Sequence, residues 1–510
     1  MISKTIDFIK KKNIFYLIVG FFFSIFSISK FNIVISIFIW PFCFLSYLHK
    51  SESKILPSVI CSACLWLSIV IRWTSYSNAN FLIDLLFSSY FSIATIIPFI
   101  IDNIFYGKVD KWKSVFIFPL SVAFIEFIFC LFPYANNNLF CYALRDCIQF
   151  IQIISWFGCY FLSFIIALFS TILDYSIYLY RNENKISKFL FSYAAIISVI
   201  YFFGLIRLLI PIEGETINVA ASIGVSQPLY EKGDDGIMEQ YVYLEYINET
   251  MKRASDSGAQ IMTYAEEAFF VTKDVKKQII SNVTKLAKIY SIYVLLTFDT
   301  YYNETYSSNE AVLISDEEKI LYDYQKQHLV PLSERGYYEN MEKTEVVDTK
   351  FGKVTVVICY DIDFPYYLDS LSRKHFDLLL VPSWDWDSVA EWHSNDAKYR
   401  AIEGGFNMVK NTAHGYTISS DTRGRTLSYV RNKGEDYNVI NTVYIKGVKT
   451  LYSYISIFFN YLYLIALIAI LFSDKIIKLL KKDNNDGTVG STNYTELKLD
   501  NIPKSDGIEE

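Results

Sequence analysis

The sequence predicts a multi-pass α-helical membrane domain with a layered α/β domain inserted before its last span. Three observations predict it. Apolar blocks of membrane length occupy both ends of the chain, Lys and Arg alternate between successive loops, and a middle stretch of about 230 residues has the texture of short strands and amphipathic helices.

The 510 residues are 52% hydrophobic and only 20% charged, and the apolar ones cluster. The runs are Ile14 to Ser29, Asn32 to Leu48, Ile55 to Trp73, Phe81 to Ile101, Ser114 to Phe132, Phe150 to Tyr180, Phe189 to Ile212 and Leu451 to Phe472. Most approach the ~20 residues that cross a hydrocarbon core. One set of loops carries Lys4, Lys10, Lys11 and Lys12, then Lys50 and Lys54, Lys108, Lys111 and Lys113, Arg181, Lys185 and Lys188, and finally Lys475, Lys478, Lys481 and Lys482. The alternate set holds only Lys30, Arg72 and Arg145. Cytoplasmic loops retain such cations, so the expectation is eight spans with both termini in the cytoplasm: seven transmembrane helices over 1–212, a domain over 213–449 on the non-cytoplasmic side, and a last span over 450–473. The polar tail, 474–510, reads as disordered. A cleaved signal peptide suits the "KKK" at the start less well, because "FSISKFN" offers no small-residue cleavage site.

A net charge of -6, with no basic patch interleaved with aromatics, argues against nucleic acid as a partner. Of eight cysteines, seven (Cys43, Cys61, Cys64, Cys130, Cys141, Cys147 and Cys159) fall in the membrane part. Cys61 and Cys64, inside an apolar run without neighbouring His or acids, read as helix packing rather than a metal or redox site. Cys359 is therefore alone in the insert, and is either a small buried hydrophobe or a reactive thiol.

Within the insert, "TINVAASIGVSQP" reads as a first strand, Met238 to Ser257 as a helix stopped by Gly258, and "AQIMTYAEEAF" as a strand ending at two glutamates. A helix with Ile279, Ile280, Val283, Leu286 and Ile289 then precedes the strand "SIYVLLTFD", and "AVLISD" and "KILYDY" form a hairpin across "DEEK". After "VTVVICYD" come a helix, the strand "DLLLVPS", a helix through "NDAKYRAIEGG", and strands at "FNMVKNT", "GYTISSD" and "YNVINTVYI". No GxxxxGK[ST], HExxH or GxSxG occurs, and His375, His393 and His414 lack metal-ligand spacing, so no metal and no cofactor are expected.

Three polar residues close or follow predicted strands: Glu266 in "YAEEA", Lys326 in "YQKQHLVP" and Cys359 in "VICYD". Strand ends on one edge of a layered fold converge. A thiol needs a base to attack at neutral pH, and an ammonium stabilises both thiolate and oxyanion. By pattern alone, two unrelated surface charges and a core cysteine explain these residues equally well.

"YAEEA", "YQKQHLVPLSE" and "VVICYDIDFP" resemble the Glu, Lys and Cys motifs of the nitrilase, or carbon-nitrogen hydrolase, superfamily. "KxHLVPxxE" after a Tyr, with surrounding spans and the later "LLLVPSWDW" and "KYRAIEGGFNMVKNTAHGYTISSDTRGR", is similar to the apolipoprotein N-acyltransferase family in particular. The resemblance implies a nitrilase-like α-β-β-α sandwich for the catalytic domain. It makes Glu266 the general base, Lys326 the oxyanion-stabilising cation and Cys359 the nucleophile. Tyr360 would lend its backbone N–H to the oxyanion, Glu334 would orient the lysine and incoming amine, and Trp384 would flank the site.

The implied reaction moves an acyl chain from a membrane phospholipid through a Cys359 thioester to the terminal amine of a lipidated-cysteine lipoprotein, at a cell (inner) membrane. This chain has Tyr264-Ala265-Glu266 where the family has Trp-Pro-Glu, and Asp361 where it has Glu. Both departures are expected in the pocket wall, where they bear on the acceptor. A one-residue slip would make Glu267 the base instead. His328 reads as structural, Trp384, Trp386 and Trp392 as lipid contacts or a lid, and the sequons at Asn248, Asn282 and Asn303 as chance in an Asn-rich chain. An amidase- or nitrilase-type hydrolase would use the same triad with water as acceptor, and a non-catalytic membrane scaffold would have no use for it.

Overall fold

The computed structural model describes residues 13–486, apart from 29–30, 76–80, 136, 224–239, 304–305, 332, 335–343, 387–388 and 433–436. The amino-terminal part is helical: α1 (Ile14–Ile25), α2 (Ser36–His49), α3 (Ile55–Thr74), α4 (Phe81–Phe105), α5 (Ile117–Cys130), α6 (Cys159–Glu183) and α7 (Lys188–Leu209). With the final helix, Leu451–Asp486, six helical stretches among the described residues are long and apolar enough to cross a membrane, beginning at Ile55. The first two helices are shorter, 12 and 14 residues, and Pro41 lies inside the second. The apolar run from Phe150 is not one helix. It breaks at Gly158, whose φ of +78° favours glycine and where a Cβ would stand 2.3 Å from the Tyr452 ring. The polar tail beyond Asp486 lies outside the described residues.

The insert folds as two sheets. The first runs β13-β1-β2-β4-β5-β6, with β3 (Phe269–Thr272) also on β4; the second runs β12-β11-β10-β9-β8-β7. The strands of the first are β1 (Thr216–Ile223), β2 (Ile261–Thr263), β4 (Tyr293–Asn303), β5 (Tyr306–Ile314), β6 (Ile320–Gln325) and β13 (Tyr437–Tyr444). Those of the second are β7 (Val347–Thr349), β8 (Gly352–Val356), β9 (Leu378–Ser383), β10 (Asn407–Thr412), β11 (Gly415–Ser420) and β12 (Thr426–Asn432).

The period of two along each strand makes the layers. Val219, Leu295, Leu313, Val354, Val356, Leu378 and Leu380 meet between the sheets. Their neighbours Ala220, Val294 and Leu296 turn outward to α8 (Gln240–Asp256) and α9 (Lys273–Tyr290), which present Ile247, Met251, Ile279 and Val283. Leu379, Val381 and Met408 face α10 (Pro365–Ser372) and α11 (Ala390–Gly404). The result is the α-β-β-α sandwich. Local signals agree with it: Thr272 caps α9 by accepting from the Val275 N–H, and Ile279, Val283 and Ala287 form its buried stripe.

The second sheet's α11 has two loyalties. Ala397 and Ala401 pack on the sheet, while Tyr399 and Ile402 belong to the core of the membrane-length helices. The Tyr399 hydroxyl donates to the Cys141 carbonyl at 2.7 Å, the Cys159 N–H donates to Glu403 at 2.6 Å, and Arg145 pairs with Asp396 at 3.7 Å. Arg72 is also buried, donating to Asn138 at 2.9 Å. Two of the three cations in the sparse loop set are thus internal structural groups.

Candidate active site

Glu266 lies in a turn after β2, Lys326 directly follows β6, and Cys359 opens a short 3-10 turn, Cys359–Asp363, after β8. These ends meet in one cavity of about 310 Å³, lined also by Glu267, Glu334, Tyr360 and Trp384. Its opposite wall comes from the membrane-length helices, with Trp73 of α3 and Ile83, Asp84, Phe87 and Phe91 of α4.

The Lys326 ammonium, 1% exposed, donates to Glu266 Oε1 and Glu334 Oε1, both at 2.7 Å. Asn309 of β5 reaches Glu266 at 2.8 Å, Glu267 at 3.2 Å and Glu334 at 3.3 Å. Glu334 also accepts from the Val330 N–H. Burial alone would lower the lysine's pKa, but Glu266 and Glu334 outweigh it and hold the group well above its ordinary value. Burial, then Glu266, pushes the Cys359 thiol up despite Lys326, so the resting sulfur is protonated. It needs a base at the moment of attack.

Cys359 has a φ of +45° and Glu267 one of +52°. Such left-handed backbone costs of order 1 kcal/mol or more for residues other than glycine and concentrates at functional sites. At Cys359 the turn is held from behind. Asp361, fully buried, accepts from the Ile358 N–H at 3.0 Å, the His328 N–H at 2.8 Å and the Tyr324 hydroxyl at 2.6 Å.

Asp361 is therefore not part of the cavity wall, as the sequence suggested, but the tie between the cysteine turn and the chain that follows Lys326. Tyr264 does not line the cavity either. Its ring is in the outer core and its hydroxyl is 2.6 Å from that of Thr250. His328 is bound to Asp361 and stacked on Phe364, a structural placement.

Trp384 stacks on His414, and its carbonyl lies 3.9 Å from Cys359 Sγ. Trp386, 40% exposed, and Trp392 both line the cavity. Trp392 packs against Trp73 with centroids 5.6 Å apart, closing the seam between sandwich and helices.

A second ionic group stands behind the Trp384 loop. His393 Nδ1 is 2.8 Å from Asp385, its Nε2 3.3 Å from Asp363, and Lys410 donates to Asp385. Burial lowers the His393 pKa, but Asp363 and Asp385 more than reverse this and raise it to about 9. Burial likewise opposes ionisation of Asp385, and Lys410 with His393 overcomes it, holding this carboxyl below its usual range. Neither this group nor Asn309 was singled out as functional in the sequence; an Asn inside the polar strand "YSSNE" is the faint signal for the latter.

Residues 238–440 match the carbon-nitrogen hydrolase family. An apolipoprotein N-acyltransferase of Borreliella burgdorferi is 25% identical over 360 residues, covering 63% of this chain and 66% of that protein. Apolipoprotein N-acyltransferase 1 of Treponema denticola is 28% identical over 169 residues, 28% of this chain and 31% of that one. The chain thus spans less than two thirds of the length of these relatives. Among solved structures, an amidase from Nesterenkonia sp. is similar, with 19% identity and a TM-score of 0.39, covering 46% of this chain and 93% of that one.

Proposed function

From the premise that residues 238–440 form a carbon-nitrogen hydrolase domain set among membrane-length helices, we propose that the protein is an N-acyltransferase. It takes an acyl chain from a membrane phospholipid and passes it to the amine of a lipidated-cysteine lipoprotein. The observation that carries the reading is the composition of the cavity: Glu266, Lys326 and Cys359 on one side, Trp73, Ile83, Phe87 and Phe91 from membrane-length helices on the other. A soluble amide substrate has no need of that second wall; an ester at the end of an acyl chain does.

In the first half-reaction the Cys359 sulfur attacks the ester carbonyl while Glu266 accepts its proton. Lys326, with the Tyr360 N–H, stabilises the oxyanion. The C–O bond then breaks, and the proton passes from Glu266 to the departing lysophospholipid oxygen. In the second half the acceptor amine attacks the thioester, the C–S bond breaks, and Cys359 recovers a proton through Glu266. Glu334 orients Lys326 throughout.

Purified protein incubated with phospholipid labelled in its acyl chain should acquire label on Cys359 and pass it to a diacylated lipopeptide. Label released only as free fatty acid would make the protein a hydrolase instead. The charge pattern of the loops further supports eight spans, α1 and α2 included, with both termini cytoplasmic and the sandwich on the far side of a cell membrane. A reporter inserted at Gly233 should then face away from one fused after Lys482; reporters on the same face would refute that topology.

A further inference from the structure

We infer that Glu267 receives the first proton of the acceptor's ammonium group, a duty separate from that of Glu266. The inference rests on the acyltransferase reading above and concerns only its second half-reaction.

Consecutive residues in an extended chain send their side chains to opposite faces, yet Glu266 and Glu267 both line the cavity. The left-handed conformation at Glu267, φ +52°, is what turns the second carboxylate to the same side as the first. Asn309 Nδ2 holds the pair in place, at 2.8 Å from one and 3.2 Å from the other. Glu266, Glu267 and Glu334 each offer an oxygen within 4.8 Å of the others, while among the described residues Lys326 donates to Glu266 and Glu334 and not to Glu267. Glu267 is thus the carboxyl of the three to which the lysine makes no bond.

Proton balance gives this group something to do. A terminal α-ammonium, of pKa about 7.7–8.0, must lose two protons to become an amide. One follows the collapse of the tetrahedral intermediate and travels through Glu266 to the leaving Cys359 sulfur. The other must leave before attack, because an ammonium has no lone pair, and Glu266 cannot take both without being regenerated in between.

The groups around Glu267 set its affinity for that proton. Burial, then Glu266 and Asp299, with Glu334 adding to them and Lys326 opposing, raise its pKa to about 8. Donor and acceptor are therefore closely matched, the condition for efficient transfer. The arriving ammonium and Glu267 exchange a proton to give a neutral amine beside a neutral carboxyl, a pair that a desolvated cavity favours over separated charges. The amine then attacks the thioester: the N–C bond forms, the C–S bond breaks, and Glu267 returns its proton to solvent.

The test uses the full-length protein, with Cys359 acylated by labelled phospholipid and then cleared by either of two nucleophiles. A diacylated lipopeptide arrives as an ammonium, whereas hydroxylamine arrives as a neutral base at neutral pH. Glu267→Gln should label Cys359 and release label to hydroxylamine at the wild-type rate, which also shows that the variant is folded. Its transfer to lipopeptide should be about 100-fold slower near neutrality, the usual cost of a lost general base, with the gap closing well above the amine's pKa. Transfer to lipopeptide within a few-fold of wild type would overturn the inference. So would equal slowing with hydroxylamine, or loss of labelling itself. If the wild-type protein never transfers label to lipopeptide under any condition, the acyltransferase reading fails and this role for Glu267 fails with it.

Discussion

Two ionic clusters border the same cavity, and they are built on opposite principles. Around Lys326 three carboxyls share one cation among the described residues, and burial together with the neighbouring acids raises the Glu267 pKa to about 8. Around Asp385 two acids, Asp385 and Asp363, face two cations, His393 and Lys410. In the second cluster every charge has an opposite partner, and Lys410 is fully buried. Burial alone therefore does not mark chemistry. A matched set of charges is cement, whereas a set with surplus acid has protons to trade.

The comparison is broken most severely at Cys359. Cys359→Ala and Cys359→Ser should abolish acyl-enzyme formation while leaving the thermal unfolding profile near wild type, since neither cluster loses a charge; substantial turnover by both variants would remove Cys359 from the mechanism. Next in size, Glu266→Gln and Lys326→Met should each slow labelling of Cys359 by about 100-fold or more in a single-turnover assay. A normal burst in Glu266→Gln would move the thiol's base elsewhere.

In the matched cluster the expected damage is to stability. Lys410→Met leaves Asp385 short of a partner and should cost about 3–5 kcal/mol, part of it regained in the Lys410→Met, Asp385→Asn double variant; a near-neutral single variant would mean the cluster is not cement. The smallest effect is one of pH. His393 titrates near 9 in the folded protein against about 6.5 unfolded. Its contribution is complete below about 6.5 and is lost as the pH rises through about 9. Thermal midpoints of wild type and His393→Gln should therefore converge as the pH rises through that window, and a constant difference would show that the imidazolium is not what the two aspartates hold.

Much of the sandwich was legible because the period of two is explicit in stretches such as "TINVAASI" and "DLLLVPS". The longer β4–β5 hairpin was not, as "TYYNETYSSNE" is polar and its strands draw their pairing from the sheet rather than from apolar alternation. Strands β3, β7 and β12 are short or exposed and escaped for the same reason. At the site, Glu266, Lys326 and Cys359 stood out through strand ends and motif resemblance. That Glu267 shares their cavity could not be read, because a single left-handed φ reverses the face that alternation assigns. Asp361 misled in the opposite sense: adjacency to the cysteine turn suggested a pocket residue, whereas its carboxylate points back to Tyr324 and His328. The cavity's helical wall depends on contacts between residues some 300 apart, such as Trp73 with Trp392, and no local pattern announces those.

The double membership of α11 limits how the molecule can move. A helix whose one face completes the sandwich and whose other face is tied to the helical core by Tyr399, Glu403 and Asp396 opposes separation of the two bodies, since parting them here would expose apolar surface and strand buried charge. The gap between Cys359 and the helices is consequently a fixed gauge, set when the chain folds. Molecules of different girth must be admitted by the side chains at its mouth, Trp386 and Ser333 being exposed lining residues there, and not by the sandwich swinging away from the helices.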